Sequence, residues 1–156
     1  MTVVSVREAE DGDLPAVLAQ YGQPGMDDGE ILPLADARRI WQRFASYPSY
    51  RLFVAESEGR VVGSYALLIM DNLAHLGARS AIVEDVVVEV DEQGRGIGAA
   101  MMRHATDTSA AQGCYKLMLS SSMKRERAHR FYEGLGFERH GVSFLVRVPD
   151  ASQREE

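Results

Sequence analysis

The chain has 156 residues, 46% of them hydrophobic and 26% charged, which is the balance of a globular domain with a sizeable core. A net charge of −6 offers no basic field for sequence-independent nucleic-acid binding, and no apolar run approaches the ~18 residues of a membrane span. The single cysteine, Cys114, excludes an intramolecular disulfide and any cysteine-rich metal site.

In chain order, Val3–Arg7 reads as a short strand. No basic segment followed by a long apolar one precedes it, so no secretory signal is read and the cytoplasm is the expected compartment. Asp11 or Asp13 can cap a helix with Pro15 in its first turn and Leu14, Val17, Leu18 and Tyr21 at helical spacing. A loop rich in Gly, Pro and Asp spans Gly22–Gly29. The spacing then predicts a second helix over Ile31–Phe44, with Trp41 in its core face. Arg51–Glu56 and Arg60–Asp71 form a hairpin around Ser57-Glu58-Gly59. A polar loop follows, Asn72–Ser80, and holds His75.

The next stretch organises the rest. Ile82–Val90 is an apolar run broken only by Glu84, Asp85 and Glu89, and it reads as a buried strand. After Asp91-Glu92 comes Gln93-Gly94-Arg95-Gly96-Ile97-Gly98-Ala99, which leads into a helical pattern ending near Gly113. A glycine turn opening a helix offers bare backbone N–H groups and the positive end of the helix dipole, and both suit a phosphate. A P-loop would require Lys-Ser/Thr after Gly98, where Ala99-Ala100 stand. A dinucleotide turn would require GxGxxG and an acidic end to the next strand, whereas Cys114–Leu119 ends in Ser120-Ser121-Ser122. Arg125–Leu135 is a last helix, Val142–Val148 a closing strand, and 150–156 a polar C-terminal tail.

Gln93, Gly96 and Gly98 match the Q/R-x-x-G-x-G/A turn of the GNAT N-acetyltransferases. Some 30 residues on, Ala128-His129-Arg130-Phe131-Tyr132-Glu133-Gly134-Leu135-Gly136-Phe137 is similar to the second signature of that family. Within it, Ile82–Val88 and Gly113–Lys116 resemble the glucosamine-6-phosphate N-acetyltransferases. Lys124-Arg125 with Ala128–Tyr132 resembles the aminoalkylphosphonate enzymes. Two positions depart from the pattern. Arg125 stands where many members have Asn, and Ser120–Ser122 where the amino-sugar enzymes are acidic.

The resemblance implies an α/β fold of the mixed α+β kind. One GNAT domain would cover residues 1–149, with helices on both faces of a mixed sheet that splays around the acyl-CoA site. Acetyl-CoA would be the cosubstrate, with no metal. Its pantetheine would pair with the backbone of Val86, Val87 and Val88, and its phosphates would meet Gln93–Ala99 and Arg127. A homodimer is expected on the same likeness.

The chemistry sets further demands. An amine with a pKa of about 10.4 must lose a proton before it attacks a thioester. Glu84 is the expected base, with Asp85 or water as alternatives. Strict alternation would put Glu84 on the face of Val86 and Val88, an odd place for a charge unless a bulge re-aims it. A backbone N–H near Val86 could face the oxyanion. Tyr132 is the family's proton-donor position and also suits a core tyrosine. His75, His104, His129 and His140 show no metal-ligand spacing, although His75 lies in the Asn72–Ser80 loop, the expected substrate loop. Lys124, Arg125, Arg127 and Arg130 crowd into seven residues. With Ser121, His75 and Asp85, Lys124 and Arg125 are the expected substrate contacts, for a small amine bearing a phosphate, phosphonate or carboxylate. The rival readings are a protein acetyltransferase and a non-catalytic acyl-CoA sensor. A sensor should lack a base or the tyrosine.

Overall fold

The computed structural model describes residues 3–149. Two compact units emerge, one ending at Leu119 and the other beginning at Ser120.

The first unit is a five-stranded sheet in the order β1 (Ser5–Glu8), β2 (Tyr50–Ser57), β3 (Arg60–Met70), β4 (Arg79–Val88), β5 (Cys114–Met118). The first four strands run antiparallel as a meander from β2, and β5 returns parallel to β4. The return is made by α3 (Ile97–Ala111), because a parallel neighbour needs a crossover.

α1 (Leu14–Tyr21) and α2 (Leu34–Phe44) cover one face of the sheet. Ala9, Leu14, Val17, Leu52 and Val54 form a buried cluster there, with Tyr21, Leu34, Trp41 and Phe44 packed against it. Each fully buried aliphatic side chain in such a cluster contributes about 1.5–3 kcal/mol. α3 covers the other face, burying Ile97, Met101, Met102 and Ala105. Gly63 of β3 makes that approach possible. A Cβ there would lie 3.1 Å from the Val87 carbonyl oxygen and 3.2 Å from both Ile97 and Met101.

Local details differ from the sequence reading for physical reasons. Asp13 stands at the N-cap of α1, but its carboxylate is held by Arg7 at 2.7 and 3.0 Å and by the Glu10 N–H at 2.7 Å, so it caps no helix N–H. α2 begins at Leu34 rather than Ile31. Pro33 sits at its N-cap, and a residue before proline avoids helical geometry, which leaves Ile31 and Leu32 outside and exposed.

The second unit contains α4 (Glu126–Gly134), which Leu135 and Gly136 end. The expected strand Val142–Val148 does not form: residues 137–149 hold no helix or strand. Its alternation is strand-like, but no strand among the described residues of this unit is there to pair with it. The polar tail 150–156 lies outside the described residues.

Candidate active site

β4 is the axis of the site. It pairs with β3 along its length, from Ser80↔Met70 to Val88↔Gly63. Its pairing with β5 starts at Arg79↔Cys114 and stops at Ile82↔Met118. From Val83 onward the second edge of β4 therefore has no strand partner among the described residues, and only the Val88 carbonyl is taken there, by the side-chain amides of Gln23 and Gln93. The pairing stops there because β5 itself ends at Met118.

A bulge that re-aims Glu84 is present. Ser64 and Ala66 of β3 stand opposite Val87 and Glu84, so β4 carries one residue more than β3 there. Asp85 takes the strain, with φ at 53°. The insertion exchanges the faces: Glu84 shares a side with Ser64, Ala66 and Val87, not with Val88. That side is the one α1 covers, since Ser64 Oγ donates to Gln20 Oε1 at 3.3 Å. Both Glu84 and Asp85 are exposed to solvent.

Other groups converge on these carboxylates. Partial burial pushes the Glu84 carboxyl up, and the Asp85 charge adds to it. Burial does the same to Asp85, reinforced by Asp27 from the α1–α2 loop. Tyr50 at the start of β2 is raised by burial and by the fields of Asp85 and Glu84. Tyr21 at the end of α1 is raised by burial and by Asp85. Tyr21, Asp27 and Tyr50 were not singled out in the sequence. A Tyr at the end of α1 and an Asp in a Gly/Pro loop look ordinary until the fold gathers them. Here the arrangement can receive an ammonium group and take its proton.

The glycine turn follows directly. Val90–Glu92 makes a 3-10 turn, and Gly94 and Gly96 both adopt φ 81°. Gly96 is the N-cap of α3 in the left-handed region, and a Cβ on either glycine would meet open space. Ala100 N–H closes the first helical bond, onto Gly96 O at 3.0 Å, so the N–H groups of Ile97, Gly98 and Ala99 ahead of it have no helical acceptor. Open space, bare donors and the helix dipole fit a pyrophosphate. The turn is fastened from beneath. Glu92 is buried and binds Arg60 at 2.9 Å and Arg95 at 3.2 Å. The Gln23 side-chain amide donates to Val88 O at 3.2 Å and accepts from Val90 N–H at 2.9 Å, as a strand would. Gln93 is more loosely held, 3.5 Å from Val88 O.

His75 lies elsewhere. It sits with φ 56° in the β3–β4 connection, its ring 4.8 Å from that of Tyr115 at the start of β5.

In the second unit, Tyr132 packs edge-on to Phe131 and Phe137, at 5.1 and 5.6 Å. Burial pushes its hydroxyl up, against a lowering pull from Arg125. Arg125 is the N-cap residue of α4. Lys124, Arg125, Arg127 and Arg130 make no ion pair among the described residues. Ser121 Oγ is shielded from solvent and has no hydrogen-bond partner among them either.

Residues 16–137 match the Acetyltransferase (GNAT) family. The chain belongs to that family. As a GNAT N-acetyltransferase it is an acyltransferase enzyme. It is 33% identical to glucosamine 6-phosphate N-acetyltransferase of Trypanosoma brucei brucei over 141 residues, covering 88% of this chain and 90% of that protein. It is 27% identical to thialysine N-epsilon-acetyltransferase of Bos taurus, over 87% of this chain and 85% of the relative. A crystal structure of a Trypanosoma brucei acetyltransferase superposes with a TM-score of 0.76 at 29% identity, over 94% of this chain and all of the other. No helix among the described residues is long and apolar enough to cross a membrane.

Proposed function

We propose that this GNAT enzyme moves an acetyl group from acetyl-CoA to the primary amine of a small molecule by direct attack on the thioester, with residues 1–149 acting as one domain. The observation that carries the reading is the open edge of β4 after Ile82, with Glu84 on the bulge and the glycine turn at the strand's end. Gln93–Ala99 would hold the pyrophosphate, Arg127 a further phosphate, and the backbone of Val86–Val88 the pantetheine amides. Bound there, acetyl-CoA supplies the activated acyl group. Glu84 accepts the proton of the incoming ammonium, directly or through water, and its raised pKa brings it closer to the working pH. Tyr132, on the likeness of its motif, returns a proton to the departing sulfur.

For the acceptor, the reading is a small amine with a phosphate, phosphonate or carboxylate. Its support is the unpaired basic cluster at the start of α4, the orphaned Ser121 hydroxyl and the resemblance to an enzyme named for glucosamine 6-phosphate. A second reading, an acceptor with a second amine, is favoured by Asp27 beside Asp85. Acetyl-CoA turnover with glucosamine 6-phosphate, aminoalkylphosphonates, diamines and uncharged amines of matched size separates them. The anionic amines should show the highest kcat/KM, and an equal value for the neutral amines rejects the first reading. A chain active on none of these but on peptide amines would be a protein acetyltransferase instead.

A homodimer in the cytoplasm completes the proposal. Val142, Phe144, Val146 and Val148 are exposed in a segment with no strand partner among the described residues, which suits pairing with a second copy. Sedimentation giving only the 17.2 kDa species would reject the dimer.

A further inference from the structure

At the other end of the sheet from the glycine turn, the C-terminal end of α3 and the starts of β2 and β4 enclose a cavity of about 480 Å³. That is within the range of small-molecule sites, roughly 300–1,000 Å³. Nothing in acetyl transfer uses it. The glycine turn follows the C-terminal end of β4, whereas this cavity includes Arg79, the strand's first residue.

Its floor is apolar and stiff. Phe53, Leu67 and Ile69 project from β2 and β3 on the α3 side. Phe53 stacks on Tyr65 at 5.3 Å and packs on His104 at 4.9 Å, and the Tyr65 hydroxyl meets His104 Nδ1 at 2.6 Å. Its rim carries two arginines against one carboxylate, Asp71. Arg51 lies two residues from Phe53 on the same strand face, and Arg79 stands at the start of β4. Thr108 and Gln112 of α3 add neutral polar groups.

Both guanidiniums have exposed carboxylate partners: Arg51 with Glu8 at 3.5 Å and Arg79 with Asp71 at 3.0 Å. Pairs this exposed hold weakly. Arg79 donates from Nε to Asp71 and from Nη1 to Gln112, and Arg51 donates from Nη1 to the Tyr50 carbonyl. No hydrogen bond among the described residues uses Nη2 of either arginine. Two arginines on one rim, each with Nη2 left over to donate, above an apolar floor, favour a ligand with an anionic end and an apolar end.

We propose that this cavity is a second ligand site, taking a small monoanion with a compact apolar body, such as an aromatic carboxylate. The carboxylate lies between Arg51 and Arg79, and the apolar body covers Phe53, Leu67 and Ile69. The site is independent of the acetyltransferase reading, and its test does not use turnover as a readout.

The test is ¹⁹F NMR titration of the full chain with 4-fluorobenzoate and, as a neutral match in shape, 4-fluorobenzyl alcohol. Saturable binding of the carboxylate is expected, at least about tenfold tighter than the alcohol, the scale of a hydrogen-bonded charge. Arg51→Gln and Arg79→Gln should each weaken it by a similar factor. Thr108→Phe, which leaves both charges in place and fills the cavity, should abolish it. Thr108 is partly exposed, so a thermal melt of that variant should match the wild type. If loss of the Asp71 pair loosens the hairpin in Arg79→Gln, the other two variants carry the test. No saturable binding of the carboxylate, equal binding of the alcohol, or binding that survives Thr108→Phe overturns the proposal.

Discussion

Two halves of one strand can be compared directly. From Arg79 to Ile82, β4 has a neighbour on each edge, and Ala81 is fully buried between Ile69 and Leu117. From Val83 to Val88 it keeps only β3, takes in an extra residue, and places Glu84 and Asp85 at the surface. The residue types are similar, apolar with interspersed charge. The first half spends its backbone hydrogen bonds on the sheet and so serves stability. The second half withholds one edge, strains Asp85 and sets its charge close enough to add to the burial that raises the Glu84 pKa. Such costs are tolerated where a ligand supplies the missing partners.

The sharpest way to break the contrast is Glu84→Gln. It should lower kcat by about 10²–10⁴-fold, as loss of a general base does, and Tyr132→Phe should fall on the same scale without a matching rise in KM for acetyl-CoA. Stability should move the other way. The folded Glu84 holds its proton more tightly than the unfolded chain does, so its charge costs stability above its folded pKa, and the cost fades as pH falls through that value. Thermal melts at pH 7 should therefore show Glu84→Gln no less stable than wild type, with any gain shrinking in acid.

Deleting Asp85 tests the bulge itself. The ladder could then close with Val86 opposite Tyr65, Glu84 keeping its face, so the fold should survive while kcat drops by about 100-fold through misplacement. Gly96→Ala acts on the turn. A Cβ fits the space, but φ 81° costs an alanine about 1–2 kcal/mol, which should weaken acetyl-CoA binding about tenfold by calorimetry. The smallest effect belongs to the paired half. Ala81→Gly should cost about 0.5–1 kcal/mol in denaturant unfolding and leave kcat unchanged.

Much of this was legible because it is local. The glycine turn, its helix and the strand before it are contiguous in sequence, and the conflict between Glu84 and strict alternation already pointed to a bulge as one way to re-aim it. Pairing is not local. Tyr21, Asp27 and Tyr50 come from α1, its following loop and β2, and only the register of β2, β3 and β4 brings them to Asp85. Gly63 could have been noticed as a lone glycine inside a strand pattern, although its contact with Ile97 and Met101 could not. Val142–Val148 failed for the same reason in reverse: alternation describes a strand's faces and says nothing of the partner that makes it a strand.

The central claim is that Glu84 on the bulge of β4 takes the proton from the acceptor amine. The pH dependence of kcat/KM, measured for wild type and Glu84→Gln with whichever amine is turned over best, tests it most directly. Wild type should lose activity as pH falls through a value above the ordinary glutamate pKa of about 4.3, and the variant should be slow and lack that limb. A Glu84→Gln enzyme with near wild-type rates and the same acidic limb would contradict the account and move the proton to Asp85 or to water.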